Sequence, residues 1–327
     1  MIGGKLGVLL VNLGTPNAPT AGAVRRYLGE FLWDRRVVSI PRPLWWLILN
    51  GVILRLRPPV VARKYAKVWL EGGSPLLVYT LAQAEALQAR FAAEARPVTV
   101  LPAMRYGEPS IASALTRLRD QNVDRVLVLS MYPQYSSTTT AAVLDAVAGA
   151  LAYELRVPEL RFVNDYFDDA GYISALADSV RESWAANGRA ERLLFSFHGL
   201  PQRLVKAGDP YRDQCLETAQ RLAEALSLRD DEWLTAFQSR FGREEWLRPY
   251  TDETLRAWGQ GGTASVDVLC PGFPADCLET LEEVAMENRD VFLEAGGQAY
   301  RYIPALNAGP QHIRALHDIA ARHLAGF

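Results

Sequence analysis

The sequence predicts an α/β protein with two similar doubly wound domains, each with a four-stranded parallel sheet flanked by helices, and a cleft between them. Short apolar runs alternate with helical patterns along the chain, which is the order that parallel sheets require. Four such runs fall in each half, and 327 residues exceed what a single core usually holds.

The individual elements follow from apolar runs, which indicate strands, and from amphipathic spacing, which indicates helices. In the first half we predict strands at 6–13, 98–104, 125–131 and 160–163, and helices at 75–93, 110–121 and 140–153. In the second half we predict strands at 192–197, 233–238, 265–269 and 299–303, and helices at 170–187, 211–226, 252–258, 276–295 and 310–324. No low-complexity linker separates the halves. The predicted domains are therefore 1–155 and 156–327, with the last helix packing back on the first domain.

The composition and motifs of the chain argue against several classes of partner and cofactor. The 35 basic and 37 acidic side chains nearly balance, so no nucleic-acid partner is expected. No glycine-rich turn follows a strand and no P-loop pattern occurs, which argues against a nucleotide ligand. The three cysteines, Cys215, Cys270 and Cys277, lack CxxC spacing. This argues against an iron–sulfur cluster and for a reducing compartment, so we expect a cytoplasmic protein.

His198 lies where a predicted strand ends. The buried-type run 193–197 leads directly into it, and Gly199 and Pro201 then turn the chain. Functional groups collect at the carboxyl ends of strands in open parallel sheets, and imidazole can exchange protons or bind metal near neutral pH. Other unusual segments also follow predicted strands, at 12–16, 104–109, 131–140 and 270–277. For a lone histidine here, a structural cap and a functional group are equally plausible interpretations.

The predicted helix 276–295 carries a second chemical signal. With α-helical spacing, Asp276, Glu279 and Glu283 share one face. They could form a solvated outer face with Asp276 as helix cap, or a carboxylate ladder that relays protons or transfers a metal. Histidine together with carboxylates suits Fe(II), Mn(II) or Zn(II).

Residues 44–54, LWWLILNGVIL, are almost wholly apolar, and Arg55 and Arg57 follow them. Eleven residues are too few to span a bilayer. A buried core segment is one interpretation, and an exposed apolar lip over residues 44–57 is the other. Such a lip, with paired tryptophans and flanking arginines, would suit a lipid interface or a flat apolar ligand.

Aromatic and basic residues indicate what kind of ligand would fit. Tyr132, Trp246 and Phe273 could form apolar walls, while Arg57 and Arg105 could pair with acidic substituents. Serines and threonines in 136–140 could instead cap the next helix. A flat, mostly apolar ligand with acidic substituents would suit this set.

These segments together resemble ferrochelatases, the enzymes that insert Fe(II) into a porphyrin in haem synthesis. The resemblance covers nearly the whole chain. The segments that carry it are VNLGTP (11–16), EGGSPL (71–76), MRYGEP (104–109), MYPQYSSTTT (131–140), FSFHGLP (195–201), WLRPYTDET (246–254) and FPADCLETLEE (273–283).

The resemblance implies a role for each matching residue. His198 accepts a pyrrole proton or binds the incoming metal, Glu279 is its carboxylate partner at the metal, and Glu283 is the next step of an acidic path. Arg57 and Ser74 correspond to propionate contacts, and Tyr65, Trp246 and Phe273 to pocket residues. Residues 44–54 correspond to the lip, which favours its exposed interpretation and a peripheral contact with the inner face of the cell membrane.

Two positions depart from some relatives, because Cys277 replaces a histidine and Val60 replaces a lysine. The cysteine-rich tail of iron–sulfur relatives is absent, so Fe(II) is expected as substrate and no permanently bound cofactor. Protoporphyrin IX and coproporphyrin III both remain candidate substrates. The alternative functions are a non-catalytic tetrapyrrole or metal binding protein and a two-domain glycosyltransferase-like enzyme, although no glycine-rich phosphate loop supports the latter.

Overall fold

The computed structural model describes residues 4–94, 97–242 and 244–327. These residues form two compact units. Unit 1 comprises the described residues of 1–132, 136–165 and 316–327, and unit 2 comprises those of 133–135 and 166–315.

Unit 1 is built on a four-stranded parallel sheet. Its strands are β1 (Lys5–Gly14), β2 (Val98–Tyr106), β3 (Val123–Ser130) and β4 (Glu159–Val163), in the order β2-β1-β3-β4. The central strand β1 is fully buried from Val8 to Val11, as expected for a strand covered by helices on both faces.

The helices of unit 1 include a long composite one near the start. They are α1 (Ala21–Trp33), α2 (Arg42–Ile48), a π-helical turn (Leu49–Ile53), α3 (Leu54–Val68), α4 (Pro75–Ala93), α5 (Ile111–Asp120) and α6 (Thr140–Leu151). The hydroxyls of Thr20, Ser74 and Ser110 accept N–H groups in the first turns of α1, α4 and α5, which satisfies otherwise unpaired donors. Helix α1 was not predicted, because two glycines weaken its helical pattern.

Unit 2 repeats the same architecture. Its sheet has the order β6-β5-β7-β8 and is again parallel. The strands are β5 (Arg192–His198), β6 (Trp233–Gln238), β7 (Ser265–Leu269) and β8 (Ala299–Ile303). The helices are α7 (Ala170–Asn187), α8 (Gln202–Lys206), α9 (Tyr211–Ala225), α10 (Thr251–Gln260), a π-helical segment (Glu279–Glu287), α11 (Asn288–Glu294) and α12 (Pro310–Leu324).

The predicted fold class is confirmed, since two four-stranded parallel sheets flanked by helices are present and all eight predicted strands occur. The predicted boundary near residue 155 falls before β4, which pairs with β3 in the first sheet. Unit 1 therefore continues to Asp165. From Leu316 onward the last helix also belongs to unit 1, where the Nε2 atom of His317 lies 3.0 Å from the Oε2 atom of Glu94.

Candidate active site

His198 is the last residue of β5, and its side chain is half-buried. Its Nδ1 atom lies 2.7 Å from the carbonyl oxygen of Gly199. Because a carbonyl oxygen only accepts hydrogen bonds, Nδ1 carries the proton, and in the neutral ring Nε2 holds a lone pair. The carboxyl end of β5 thus presents an imidazole that is oriented to accept a proton or to bind a metal.

Glu283 is a half-buried carboxylate in unit 2 whose two oxygens are both engaged. The backbone N–H of Ser239 donates to Oε1 at 2.8 Å, and the Ser239 hydroxyl donates to Oε2 at 2.5 Å. Burial raises the pKa of Glu283, while the Ser239 hydroxyl and the charge of His198 act to lower it. A carboxylate with a raised pKa is suited to exchange protons closer to neutral pH.

The segment that carries Glu279 and Glu283 is a π-helix from Glu279 to Glu287, where an α-helix was predicted. Buried residues recur in it and in α11 every four positions, at Thr280, Val284, Asn288 and Phe292. A four-residue repeat drifts by about 40° per step around an α-helix, and the wider π turn reduces this drift. Glu279 and Glu283 follow the same four-residue spacing, and both are half-buried.

Asp276 does not belong to the acidic face that the α-helical spacing predicted. It is buried, and its carboxylate accepts hydrogen bonds from the hydroxyls of Thr280 and Tyr302 and from the side-chain amide of Asn307. These bonds anchor the loop before the π-helix to β8 and to the segment after it. Its role is therefore structural, and neither of its two predicted interpretations, an exposed cap or the first member of a ladder, is correct.

Aromatic rings lie near the carboxyl end of β5, where His198 stands. The Phe273 ring centroid lies 6.4 Å from that of the imidazole. Trp246 is buried, and its indole N–H donates to the carbonyl of Phe241 at 3.0 Å. A Cβ atom on Gly199 would lie 2.8 Å from the carbonyl oxygen of Gln238 and 3.0 Å from the Trp246 ring. Glycine at position 199 therefore lets the Trp246 ring pack against the backbone that directly follows the histidine.

In unit 1, Arg105 and Tyr132, which were predicted to contact a ligand, make extensive contacts within the protein. The Arg105 guanidinium forms an ion pair with Asp34 and donates to the Ala142 carbonyl at 2.8 Å. Asp34 also accepts from the Tyr106 hydroxyl at 2.8 Å. Tyr132 packs against the core, and burial raises the pKa of its buried hydroxyl. These contacts favour structural roles for Arg105 and Tyr132.

The other predicted ligand contacts of unit 1 lie on α3 and at the start of α4. Arg57 is exposed, and Tyr65 is buried with its ring 6.0 Å from that of Trp69. Ser74 is buried and its hydroxyl oxygen accepts from the backbone N–H of Leu77 at 3.3 Å. Its hydroxyl proton is not used in that bond.

The apolar segment 44–54 lies within one helical stretch, Arg42–Val68, of 27 residues. Among the described residues it is the one helix long and apolar enough to cross a membrane, by length and composition. The sequence predicted an apolar run of eleven residues, too short to span a bilayer. In the structure the helix continues past this run, and Pro58 and Pro59, which normally end a helix, lie inside α3. One face, including Trp45, Leu49 and Leu54, packs on Leu32 and Val38, whereas Leu44, Trp46, Leu47 and Val52 are exposed.

Two observations concern metal and thiol chemistry. Within the described ranges, no group of three or more His, Cys, Asp or Glu side chains is arranged to hold a metal ion. The three cysteines are unpaired and buried. Burial, together with nearby Glu279, raises the pKa of the Cys277 thiol well above its usual value, so this side chain is a neutral thiol at neutral pH.

Sequence reasoning missed Ser239, which directly follows β6. Its position at a strand end was the available signal. The predicted segments at strand ends included those after β1, β2, β3, β5 and β7, and each does follow its strand in the structure.

Solved chelatase structures share this fold. SirB from Bacillus subtilis with Fe³⁺ superimposes with a TM-score of 0.60 at 10% identity, over 98% of this chain and 96% of that one. CbiX, described as the terminal enzyme for siroheme biosynthesis in denitrifying bacteria, gives 0.53 at 14% identity, over 98% and 100%. The class defined by this comparison is the doubly wound chelatase fold.

The family follows from sequence. The ferrochelatase family model matches residues 5–324. Ferrochelatases of Nitrosococcus oceani and Polaromonas sp. are 55% and 56% identical, over 99% and 98% of this chain and 88% and 87% of those relatives. The chain belongs to the ferrochelatase family. It is thus an enzyme, a lyase, whose family carries out porphyrin metal chelation in haem biosynthesis.

Proposed function

We propose that this protein inserts Fe(II) into protoporphyrin IX or coproporphyrin III and releases the two pyrrole protons. The observation that carries the proposal is the imidazole of His198 at the end of β5, whose Nδ1–H donates to the Gly199 carbonyl. The carboxylate of Glu283 is close enough for the charge of His198 to lower its pKa. The overall step balances, because Fe²⁺ and a neutral porphyrin give haem and two H⁺.

His198 is the residue proposed to act on the ring nitrogens. A neutral imidazole has its Nε2 lone pair free to accept a pyrrole proton, and the same lone pair can bind Fe(II). The hydrogen bond to Gly199 keeps the tautomer that presents Nε2. One ring nitrogen therefore serves in either step.

The carboxylates are proposed to handle the metal and the protons. Glu279 is the partner at the metal, since oxygen ligands suit Fe(II) and release it readily. Glu283 lies four positions further along the π-helix and is proposed to carry protons away or to deliver metal.

The residues proposed to contact the porphyrin form two groups, one apolar and one that donates hydrogen bonds. Trp246, Phe273 and Tyr65 supply apolar surface, and Arg57 and Ser74 supply donors for propionates. For Arg105 and Tyr132 the structural contacts described above favour support of unit 1 over direct ligand binding. The exposed apolar face around Trp46 and Leu47 is proposed as a peripheral contact with membrane lipid.

Anaerobic incubation with Fe(II) and each porphyrin tests the proposal. Formation of haem with turnover supports it, and the ratio of kcat/KM for the two porphyrins identifies the preferred substrate. Binding of porphyrin without metal insertion would instead support the non-catalytic binding protein.

A further inference from the structure

One residue, Ser239, holds both oxygens of the Glu283 carboxylate. The backbone N–H and the hydroxyl of Ser239 donate to different oxygens, at 2.8 and 2.5 Å. A carboxylate that accepts a hydrogen bond at each oxygen cannot rotate about its terminal torsion without losing one of these bonds. Each oxygen keeps a second acceptor site, so Glu283 can still accept a proton or a water molecule.

The backbone of Ser239 adopts a conformation that favours glycine. Its φ is 65°, in the left-handed region that side chains with a Cβ atom rarely adopt. A glycine here would relieve this backbone cost, yet the chain carries a serine whose hydroxyl reaches Glu283. The hydroxyl therefore has a use that offsets the unfavourable backbone conformation.

Ser239 also directly follows the residue that pairs with His198 between strands β5 and β6. Gln238, the preceding residue, is the register partner of His198 on the neighbouring strand. The Gln238 carbonyl accepts the N–H of Gly199 at 2.7 Å. The serine that orients the carboxylate is thus connected through one peptide to the loop that orients the histidine.

We propose that Ser239 is a positioning residue for metal insertion, which acts by fixing the orientation of the Glu283 carboxylate relative to His198. The proposal rests on the proposed function and deepens it. Loss of the Ser239 hydroxyl would let the carboxylate rotate, so that a smaller fraction of molecules has it correctly placed when protons leave the porphyrin.

The test compares Ser239→Gly and Ser239→Ala with the matched control Ser227→Gly. Ser227 also has a positive φ, of 55°, but it lies in the turn after α9. Both glycine variants gain the same backbone freedom at a glycine-favouring position, while only one removes a hydroxyl from Glu283. Measurements are the melting temperature, and kcat and KM for the porphyrin in the anaerobic Fe(II) assay.

We expect both Ser239 variants to fold and to lose about 10- to 100-fold in kcat, the usual effect of removing a residue that orients a functional group. The KM for porphyrin should stay within about twofold, and Ser227→Gly should match wild type. In a Glu283→Gln background, Ser239→Gly should cause no further loss, because the group it orients has been changed.

Three results would overturn the proposal. These are wild-type kcat in both Ser239 variants, a change confined to KM, and an equal loss in the Glu283→Gln background. A wild-type protein that binds porphyrin without inserting metal would reject the proposed function itself, and with it the role of Ser239. The two failures are distinguishable, because only the second affects the wild type and Ser227→Gly.

Discussion

Trp45 and Trp46 are consecutive residues of α2, yet Trp45 is buried and Trp46 is exposed. Trp45 is 6% exposed and its indole N–H donates to the Leu32 carbonyl at 2.7 Å, whereas Trp46 is 54% exposed. The sequence interpretations of this segment, buried core and exposed lip, therefore each hold for one face. A triple replacement of Trp45, Trp46 and Ile48 would mix the two effects, so they must be tested separately.

Trp45→Ser should destabilise the protein by about 3–5 kcal/mol, the usual cost of truncating a large buried aromatic side chain. The unpaired Leu32 carbonyl adds to this cost. Urea unfolding measures the change. An unfolding free energy equal to that of wild type would show that the Trp45 side of the helix is not core.

Trp46→Ser combined with Leu47→Ser should leave the unfolding free energy within about 0.5 kcal/mol of wild type, because both side chains are exposed. Association with phospholipid vesicles should weaken, since the apolar area is buried only in the bound state. Co-sedimentation with vesicles measures it, and Tyr153→Ser, at another exposed aromatic position, is the control. Equal vesicle binding by the double variant and wild type would remove the proposed membrane contact.

His198→Ala should reduce metal insertion by more than the roughly 10²- to 10⁴-fold typical of acid–base groups, if the imidazole also contacts the metal. Its melting temperature should stay close to that of wild type, because the side chain is half-buried at a strand end. His323→Ala, at the far end of α12, is the control. Near-normal insertion by folded His198→Ala would reject the assignment.

Glu279 and Glu283 should not behave alike. The loss in His198→Ala combined with Glu279→Gln should be less than additive in free energy, because both residues act at the metal. Glu283→Gln should lower kcat by at least the roughly 10- to 100-fold expected for Ser239→Gly, and should also alter the pH profile or the dependence on Fe(II) concentration. Fully additive effects, with unchanged pH dependence, would identify these residues as ordinary surface carboxylates.

His312 should make stability depend on pH. Burial lowers its pKa from 6.5 to about 4, so the unfolded chain binds a proton that the folded protein does not. The stability is fully present above pH 6.5 and is lost as the pH falls towards 4, by up to about 3 kcal/mol. Urea unfolding at pH 7 and pH 5 should show this loss in wild type and in His323→Gln, and a smaller one in His312→Gln. Equal losses in all three would contradict it.

Sequence reasoning succeeded where the signal is local. The strands could be placed because each is a short apolar run, and His198 could be placed at a strand end because glycine and proline follow it. The sequence could not show that Asp276 bonds Tyr302, which lies 26 positions later, or that Ser239 bonds Glu283, which lies 44 positions later. Such partners depend on tertiary structure. The roles of Arg57 and Ser74 came from the family resemblance and stay predictions.

The π-helix from Glu279 to Glu287 makes the length of this segment as important as its composition. Deletion of one uncharged residue between Glu279 and Glu283 would remove none of the acidic side chains. It would nevertheless rotate everything that follows by roughly a quarter turn relative to what precedes, and Glu283 would move away from the serine that holds it. Insertions and deletions here should therefore be tolerated far less than substitutions, even conservative ones.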